Sequence, residues 1–246
     1  MVEIVRTAAR SRGLGPLLRA NRFFFVPYLV LLLAAFVLLV ALPKSENHLL
    51  LTRWHHPAAD QFFRFFTHVG DGLFSLGVAA LLLAFRRWRS AGLAVASFLL
   101  SGGLSLFFKQ IVFPKALRPT KYFEQWPEVK LTLVEGVNMY AHNSFPSGHS
   151  TTAFAVFSLL ALLTSQRRWG LALFVLASLG AYSRVYLSQH FLEDIVAGSL
   201  LGTACTVGLY LLWERVWPVA GPRYRLKWTI KKSAPGPEAA DQPVKE

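Results

Sequence analysis

An all-α, polytopic membrane protein is the fold class this sequence predicts, and three observations carry that reading. The 246 residues are 54% hydrophobic, with a mean hydropathy of +0.41. Apolar runs as long as Phe23–Leu42 contain no charge, and about twenty such residues span the hydrocarbon core of a bilayer. The basic residues gather at the ends of those runs rather than in one patch. Backbone inside a bilayer has no water to bond with, so each span must satisfy its own N–H and C=O groups as a helix.

The first apolar run, Phe23–Leu42, follows an arginine-rich start (Arg6, Arg10, Arg12, Arg19, Arg22). It is longer than the apolar region of a signal peptide. Its exit, Val40-Ala41-Leu42-Pro43, is a poor cleavage site, so it reads as a retained first helix. Five further spans follow: Gly72–Phe85, Ala91–Phe108, Ser150–Thr164, Trp169–Tyr186 and Ile195–Trp213. The second and fourth are short for a full crossing, and Asp71 abuts the start of the second. The His55–Thr67 stretch carries Phe62, Phe63, Phe65 and Phe66 around Asp60 and Arg64. It reads as a short interfacial helix or as a connecting loop packed on the bundle. The expected organisation is a basic N-terminal segment (1–22), one six-helix membrane domain (23–217) and a tail (218–246). The tail has little apolar mass and is expected to be disordered.

Charge orients the bundle. With six crossings, the N-terminus, the turns Arg86-Arg87-Trp88-Arg89 and Gln166-Arg167-Arg168-Trp169, and the tail share one side. That side holds 17 of the 26 Lys and Arg and 5 of the 13 acids, which is +12 of the net +13. The positive-inside rule then puts both termini in the cytoplasm, with Trp88, Trp169, Trp213 and Trp217 as an interfacial belt. The basic balance is thereby spent on topology and lipid attraction. No helix-turn-helix, zinc-finger or ribonucleoprotein pattern accompanies it, so nucleic acid is not an expected partner. The single cysteine, Cys205, lies in an apolar run, excludes an intramolecular disulfide and reads as a packing residue.

Three polar clusters map to the opposite, outer face. Pro146-Ser147-Gly148-His149 precedes an apolar helical run. Serine is a preferred N-cap, glycine admits close backbone approach, and a helix N-terminus presents free N–H groups to an oxyanion. In Ser183-Arg184-x5-His190-x3-Asp194, a spacing of four would place His190 and Asp194 on one helix face. Asp194 would then fix one imidazole nitrogen and leave the other as a nucleophile. Arg184 offers a planar fork for phosphate. A metal site built on His190, Glu193 and Asp194 and a structural ion pair are the competing readings. The other outer histidines (His55, His56, His68, His142) lack metal-ligand spacing. Lys109, at the end of the third run, and Arg118-Pro119 are mute alone, since a lysine there can simply snorkel to the interface.

Together the clusters resemble the tripartite signature of the type 2 phosphatidate phosphatase superfamily: Lys-x6-Arg-Pro, Pro-Ser-Gly-His and Ser-Arg-x5-His-x3-Asp. The second and third motifs match at every defined position. In the first, eight residues rather than six separate Lys109 from Arg118-Pro119. Lys109 is kept for that role, because Lys115 is too close to Arg118.

The resemblance implies a membrane lipid phosphatase that needs no metal or other cofactor, with its active site facing the periplasm or exterior. His190 would be the nucleophile that forms a phosphohistidine, Asp194 its orienting carboxylate, and His149 the acid and later the base. Lys109, Arg118, Ser147, Gly148 and Arg184 would hold the phosphate oxygens. The substrate classes implied are polyprenyl diphosphate, phosphatidylglycerol phosphate, phosphatidate and lipid A phosphate. The long Tyr122–Met139 stretch and the aromatic His55–Thr67 stretch are expected to shape the lipid entrance. A head-group phosphotransferase, a vanadate-dependent haloperoxidase and a non-catalytic lipid-phosphate binder are the alternatives. Six spans argue against the haloperoxidase, and two histidines against simple binding.

Overall fold

The computed structural model describes residues 13–216, and among them it is helical, with no strand. Most of the basic N-terminal segment and the expected disordered tail lie outside the described residues. A short helix α1 (Leu14–Ala20) leads into α2 (Arg22–Ala41). Two short helices follow, α3 (Lys44–Thr52) and α4 (Pro57–Phe66). A 3-10 turn, Thr67–Gly70, joins α4 to α5 (Gly72–Ala84). Next comes α6 (Trp88–Phe107), extended by a π turn over Phe108–Val112. A long loop holding the one-turn helix α7 (Pro119–Phe123) leads to α8 (Gly148–Leu163), α9 (Trp169–Tyr186) and α10 (Leu192–Val216).

All six expected apolar runs are therefore helices. Among the described residues, three helices are long and apolar enough to cross a membrane: Arg22–Ala41, Trp88–Val112 and Leu192–Val216. A fourth candidate is the pair Pro57–Gly70 and Gly72–Ala84, bent by 60°. The outer surface of α2 shows why these helices belong in lipid. Leu29, Val30, Leu33, Phe36 and Val40 are all exposed, and a helix that is apolar all round is stable only where its surroundings are apolar too. The chain is an integral membrane protein.

At 16 residues α8 is short, and it is the most enclosed helix: only Gly148, His149 and Leu160 along it are not buried. It packs against α6, α9 and α10. Because protein rather than lipid surrounds it, Ser150, Thr151, Thr152 and Ser158 sit there without facing hydrocarbon. Phe154 and Phe157 of α8 join Phe24, Phe25, Tyr28, Phe174 and Ala177 in the main core. The rings of Phe24 and Phe174 meet edge to face at 6.1 Å, a favoured aromatic geometry.

The closest helix contact joins α8 to α10. A Cβ at Gly198 would lie 2.5 Å from the Ser147 carbonyl oxygen, and one at Gly202 would lie 2.1 Å from that of Thr151. Glycines four apart let two helix backbones touch, the small-residue packing common in membranes. This contact brings the start of α8 against the start of α10, where the Ser147 N–H donates to the Asp194 carbonyl at 2.9 Å.

The His55–Thr67 stretch is a helix packed on α9. Pro57 occupies its first turn and His56 caps it by accepting from the Ala58 N–H. Phe63 meets Tyr182 edge to face at 5.4 Å and Tyr186 at a tilt at 4.5 Å, while Phe62 and Phe65 stay exposed.

Candidate active site

Every site residue expected from the sequence lies where helix ends meet: the end of α6, the loop through α7, the start of α8, the end of α9 and the start of α10. Ser147 is the N-cap of α8. Its fully buried hydroxyl accepts from the Ser150 N–H and from the Ser150 hydroxyl at 3.1 Å. The N–H groups of Gly148 and His149 have no intrahelical acceptor. A Cβ at Gly148 would stand 3.9 Å from Lys109 Nζ, so the ammonium lies over this helix end. The π turn at Phe108–Val112 holds Lys109, and the wider turn alters the direction in which that side chain leaves the helix. Lys115 is exposed in the following loop.

His190 is not on a helix, as the four-residue spacing had suggested. It lies in the turn between α9 and α10, where Gln189 and His190 both donate their N–H to the Arg184 carbonyl. Ser188 there takes a positive φ of 51°. Contact with Asp194 survives for a different reason. Asp194 is the third residue of α10, and its Oδ2 accepts the Phe191 N–H at 2.8 Å, the reach-back of a capping box. The same Oδ2 is 3.3 Å from His190 Nδ1 and accepts the Ser144 hydroxyl at 2.5 Å. Both side chains are about 1% exposed. With Nδ1 engaged, Nε2 has no hydrogen-bond partner among the described residues.

Burial pushes His190 well below the ordinary histidine value, and Arg118, Lys109, Arg184 and His149 push it further in the same direction. The imidazole is held neutral, the form with a lone pair to attack phosphorus. Glu193 does not join it as a metal ligand would, because it pairs with Lys44 at 2.5 Å.

Gln189 aligns the two guanidinium groups. Its Oε1 accepts from Arg118 Nη1 at 3.2 Å and from Arg184 Nη2 at 3.4 Å, while its own amide donates to the Asn138 carbonyl at 2.9 Å. Arg118 also donates to the carbonyls of His142 and Gln189 and lies over the Tyr140 ring. Arg184 donates through Nη1 to Thr67 Oγ1 at 2.7 Å, and its buried Nε has no partner.

His149 Nε2 meets Asp71 Oδ1 at 2.7 Å. Reasoning from the motifs missed Asp71, Thr67, Ser144 and Gln189. Asp71 had one readable signal: a carboxylate abutting an apolar run is costly near a membrane and points to function. The other three are ordinary polar residues with no spacing that marks them.

This is the class of membrane protein in which a helical bundle gathers two imidazoles, three cationic side chains and an open helix N-terminus at one end. Residues 90–218 match the sequence profile of the PAP2 superfamily, and the chain belongs to that family. An undecaprenyl-diphosphatase of Sulfolobus acidocaldarius (strain ATCC 33909) is 32% identical over 131 residues, 51% of this chain and 57% of that protein. YbjG of Escherichia coli (strain K12) is 40% identical over 75 residues, 30% of this chain and 37% of that one. The chain thus spans about half or less of the length of these curated relatives. Among solved structures, Aquifex aeolicus LpxE aligns with a TM-score of 0.58 and 25% identity, covering 67% of this chain and 93% of that one. A PAP2-type phosphatidylglycerolphosphate phosphatase from Bacillus subtilis shares the fold, with a TM-score of 0.54 and 20% identity, covering 81% of this chain and 98% of that one.

Proposed function

We propose that this protein is a metal-independent membrane lipid phosphatase that hydrolyses a lipid phosphate or diphosphate through a phosphohistidine at His190. The observation that carries the reading is the unengaged Nε2 of a neutral, buried His190, ringed by Lys109, Arg118 and Arg184 and by the acid His149. Nε2 attacks phosphorus in line, the P–O bond to the lipid breaks, and its electron pair stays on the leaving oxygen, which takes a proton from His149. Water then attacks the phosphohistidine, its proton returns to His149, the P–N bond breaks and inorganic phosphate leaves. The three cations and the N–H groups of Gly148 and His149 stabilise charge on the equatorial oxygens. Ser147 contributes mainly by capping α8 and so aiming those N–H groups.

In this reading six helices cross the membrane, both termini are cytoplasmic and the site opens on the outer face of the plasma or inner membrane. The membrane domain covers 23–217. The charge asymmetry favours this orientation. The family resemblance suggests four substrate classes, polyprenyl diphosphate, phosphatidylglycerol phosphate, phosphatidate or lipid A phosphate, and the undecaprenyl-diphosphatase names among the relatives favour the first.

The test is phosphate release by purified protein in detergent, on a panel of lipid monophosphates and diphosphates. Release that persists in EDTA, is inhibited by vanadate and disappears in His190→Ala is the expected result. A new phosphodiester in place of free phosphate would make the protein a phosphotransferase. Binding without turnover of any substrate would make it a lipid-phosphate binder.

A further inference from the structure

The corner between α4 and α5 belongs to none of the three motifs, yet it reaches the centre of the site. A Cβ at Gly70 would lie 2.7 Å from the His149 carbonyl oxygen and 2.8 Å from His149 Cβ, so the corner backbone rests directly on this residue. From the same corner Thr67 holds Arg184 Nη1 at 2.7 Å. Asp71 divides its carboxylate between two imidazoles, with Oδ1 at 2.7 Å from His149 Nε2 and Oδ2 at 2.6 Å from His68 Nδ1. The hydrogen bond from His149, foremost, and that from His68 hold the Asp71 carboxyl down to about 2 against the opposing effect of burial. It is an anion throughout the working pH range.

We infer that Asp71 is the positioning carboxylate of the acid His149, so that the site contains a second histidine–carboxylate pair besides His190–Asp194. The inference rests on the phosphatase reading above. An imidazole that must protonate a leaving oxygen faces two difficulties here. Lys109 from α6 and Arg184 from α9 crowd it with positive charge, and its ring has two nitrogens that exchange roles with tautomer. A carboxylate on Nε2 answers both. It stabilises the imidazolium and keeps the Nε2 proton in place, so Nδ1 is the nitrogen that gives its proton to the leaving oxygen and takes one back from water. His68, on the other carboxylate oxygen, stops Asp71 from turning away. The two pairs come from different parts of the chain: Asp194 acts four residues from its histidine, whereas Asp71 acts from the corner between α4 and α5.

A purely structural carboxylate and one that serves an acid differ in their dependence on the leaving group. A lipid alkoxide needs a proton as it departs, whereas 4-nitrophenolate does not. In full-length protein, Asp71→Asn is expected to lower kcat on a long-chain phosphatidate by ~100-fold or more, within the range of general acid catalysis, and on 4-nitrophenyl phosphate by less than ~10-fold. Asparagine is as good an N-cap as aspartate, so the start of α5 is preserved, and retained activity on the aryl ester reports a folded site. If Asp71→Asn does not fold, Asp71→Glu takes its place, with a loss graded by leaving group in the same sense. Equal losses on both esters, with an active wild type, would overturn the inference alone. A wild type that releases phosphate from neither ester, nor from any lipid phosphate or diphosphate of the panel, would overturn the phosphatase reading itself.

Discussion

Ser144 donates its hydroxyl to Asp194 at 2.5 Å across fifty residues of sequence, and both side chains are about 1% exposed. The bond ties the end of the long loop to the first turn of α10. Together with the Phe191 N–H it leaves Asp194 Oδ2 little freedom beside His190. A buried charged acceptor that loses a donor forfeits about 1.5–3 kcal/mol. Ser144→Ala is expected to lower kcat by ~10-fold with KM nearly unchanged, because in the proposed mechanism Asp194 orients the nucleophile and does not meet substrate. Steady-state kinetics check this; a rise in KM with kcat preserved would show that Ser144 serves binding.

Lys109 and Lys115 compete for one role in the sequence, and the fold separates them. Lys109 lies over the N-terminus of α8, whereas Lys115 is exposed. Removing a cation from an oxyanion cradle costs on the order of 100-fold in rate, and that loss in kcat/KM is expected for Lys109→Ala. Lys115→Ala is expected to stay within ~2-fold, as surface substitutions do. Parallel kinetics on the two variants decide the assignment.

Gly202 meets the Thr151 carbonyl so closely that no side chain fits. Gly202→Ala must push α8 and α10 apart, at a cost of about 1–3 kcal/mol by overpacking. It also strains the bond from the Ser147 N–H to the Asp194 carbonyl that joins the starts of α8 and α10. Gly208, on the same helix, has nothing within 4 Å of its added Cβ. A lowered melting temperature in detergent for Gly202→Ala, with Gly208→Ala close to wild type, is the expected pattern.

His48 on α3 is fully buried, bonds Ser188 Oγ through Nε2 and leaves Nδ1 unpartnered. Burial pushes it down from 6.5 to about 4. The folded protein then binds fewer protons at this group than the unfolded chain between those values, so stability rises with pH across the window and is lost as pH falls through it. The full loss is about 3 kcal/mol once pH is below the folded value. Thermal melts of wild type between pH 7 and 4 should decline more steeply than those of His48→Gln. Parallel curves would remove His48 as a source of acid lability.

What the sequence disclosed, and what it concealed, follow a physical division. Apolar runs were legible because a bilayer tolerates few charges, so each helix announces itself by composition. The Pro-Ser-Gly-His and Ser-Arg-x5-His-x3-Asp clusters were legible because each lies within a single turn or helix junction. Even there the local geometry differed: His190 meets Asp194 through the capping turn of α10 rather than along a helix face. Thr67, Ser144 and Gln189 were not legible, because each acts on a partner brought to it from far along the chain, and of Asp71 only its cost beside an apolar run could be read, not its partner. The pair Gly198 and Gly202 was visible as letters, but its consequence depends on which helix lies opposite.

The sequence by itself determined the helices, their membrane setting and the chemical types of the candidate site, since these follow from hydropathy and from short-range spacing. The tertiary structure alone brought Asp71 against His149, set Lys109 over the start of α8 and held two arginines side by side. Those are matters of close contact, and contact between distant segments is set by packing of whole helices rather than by residues near in the chain.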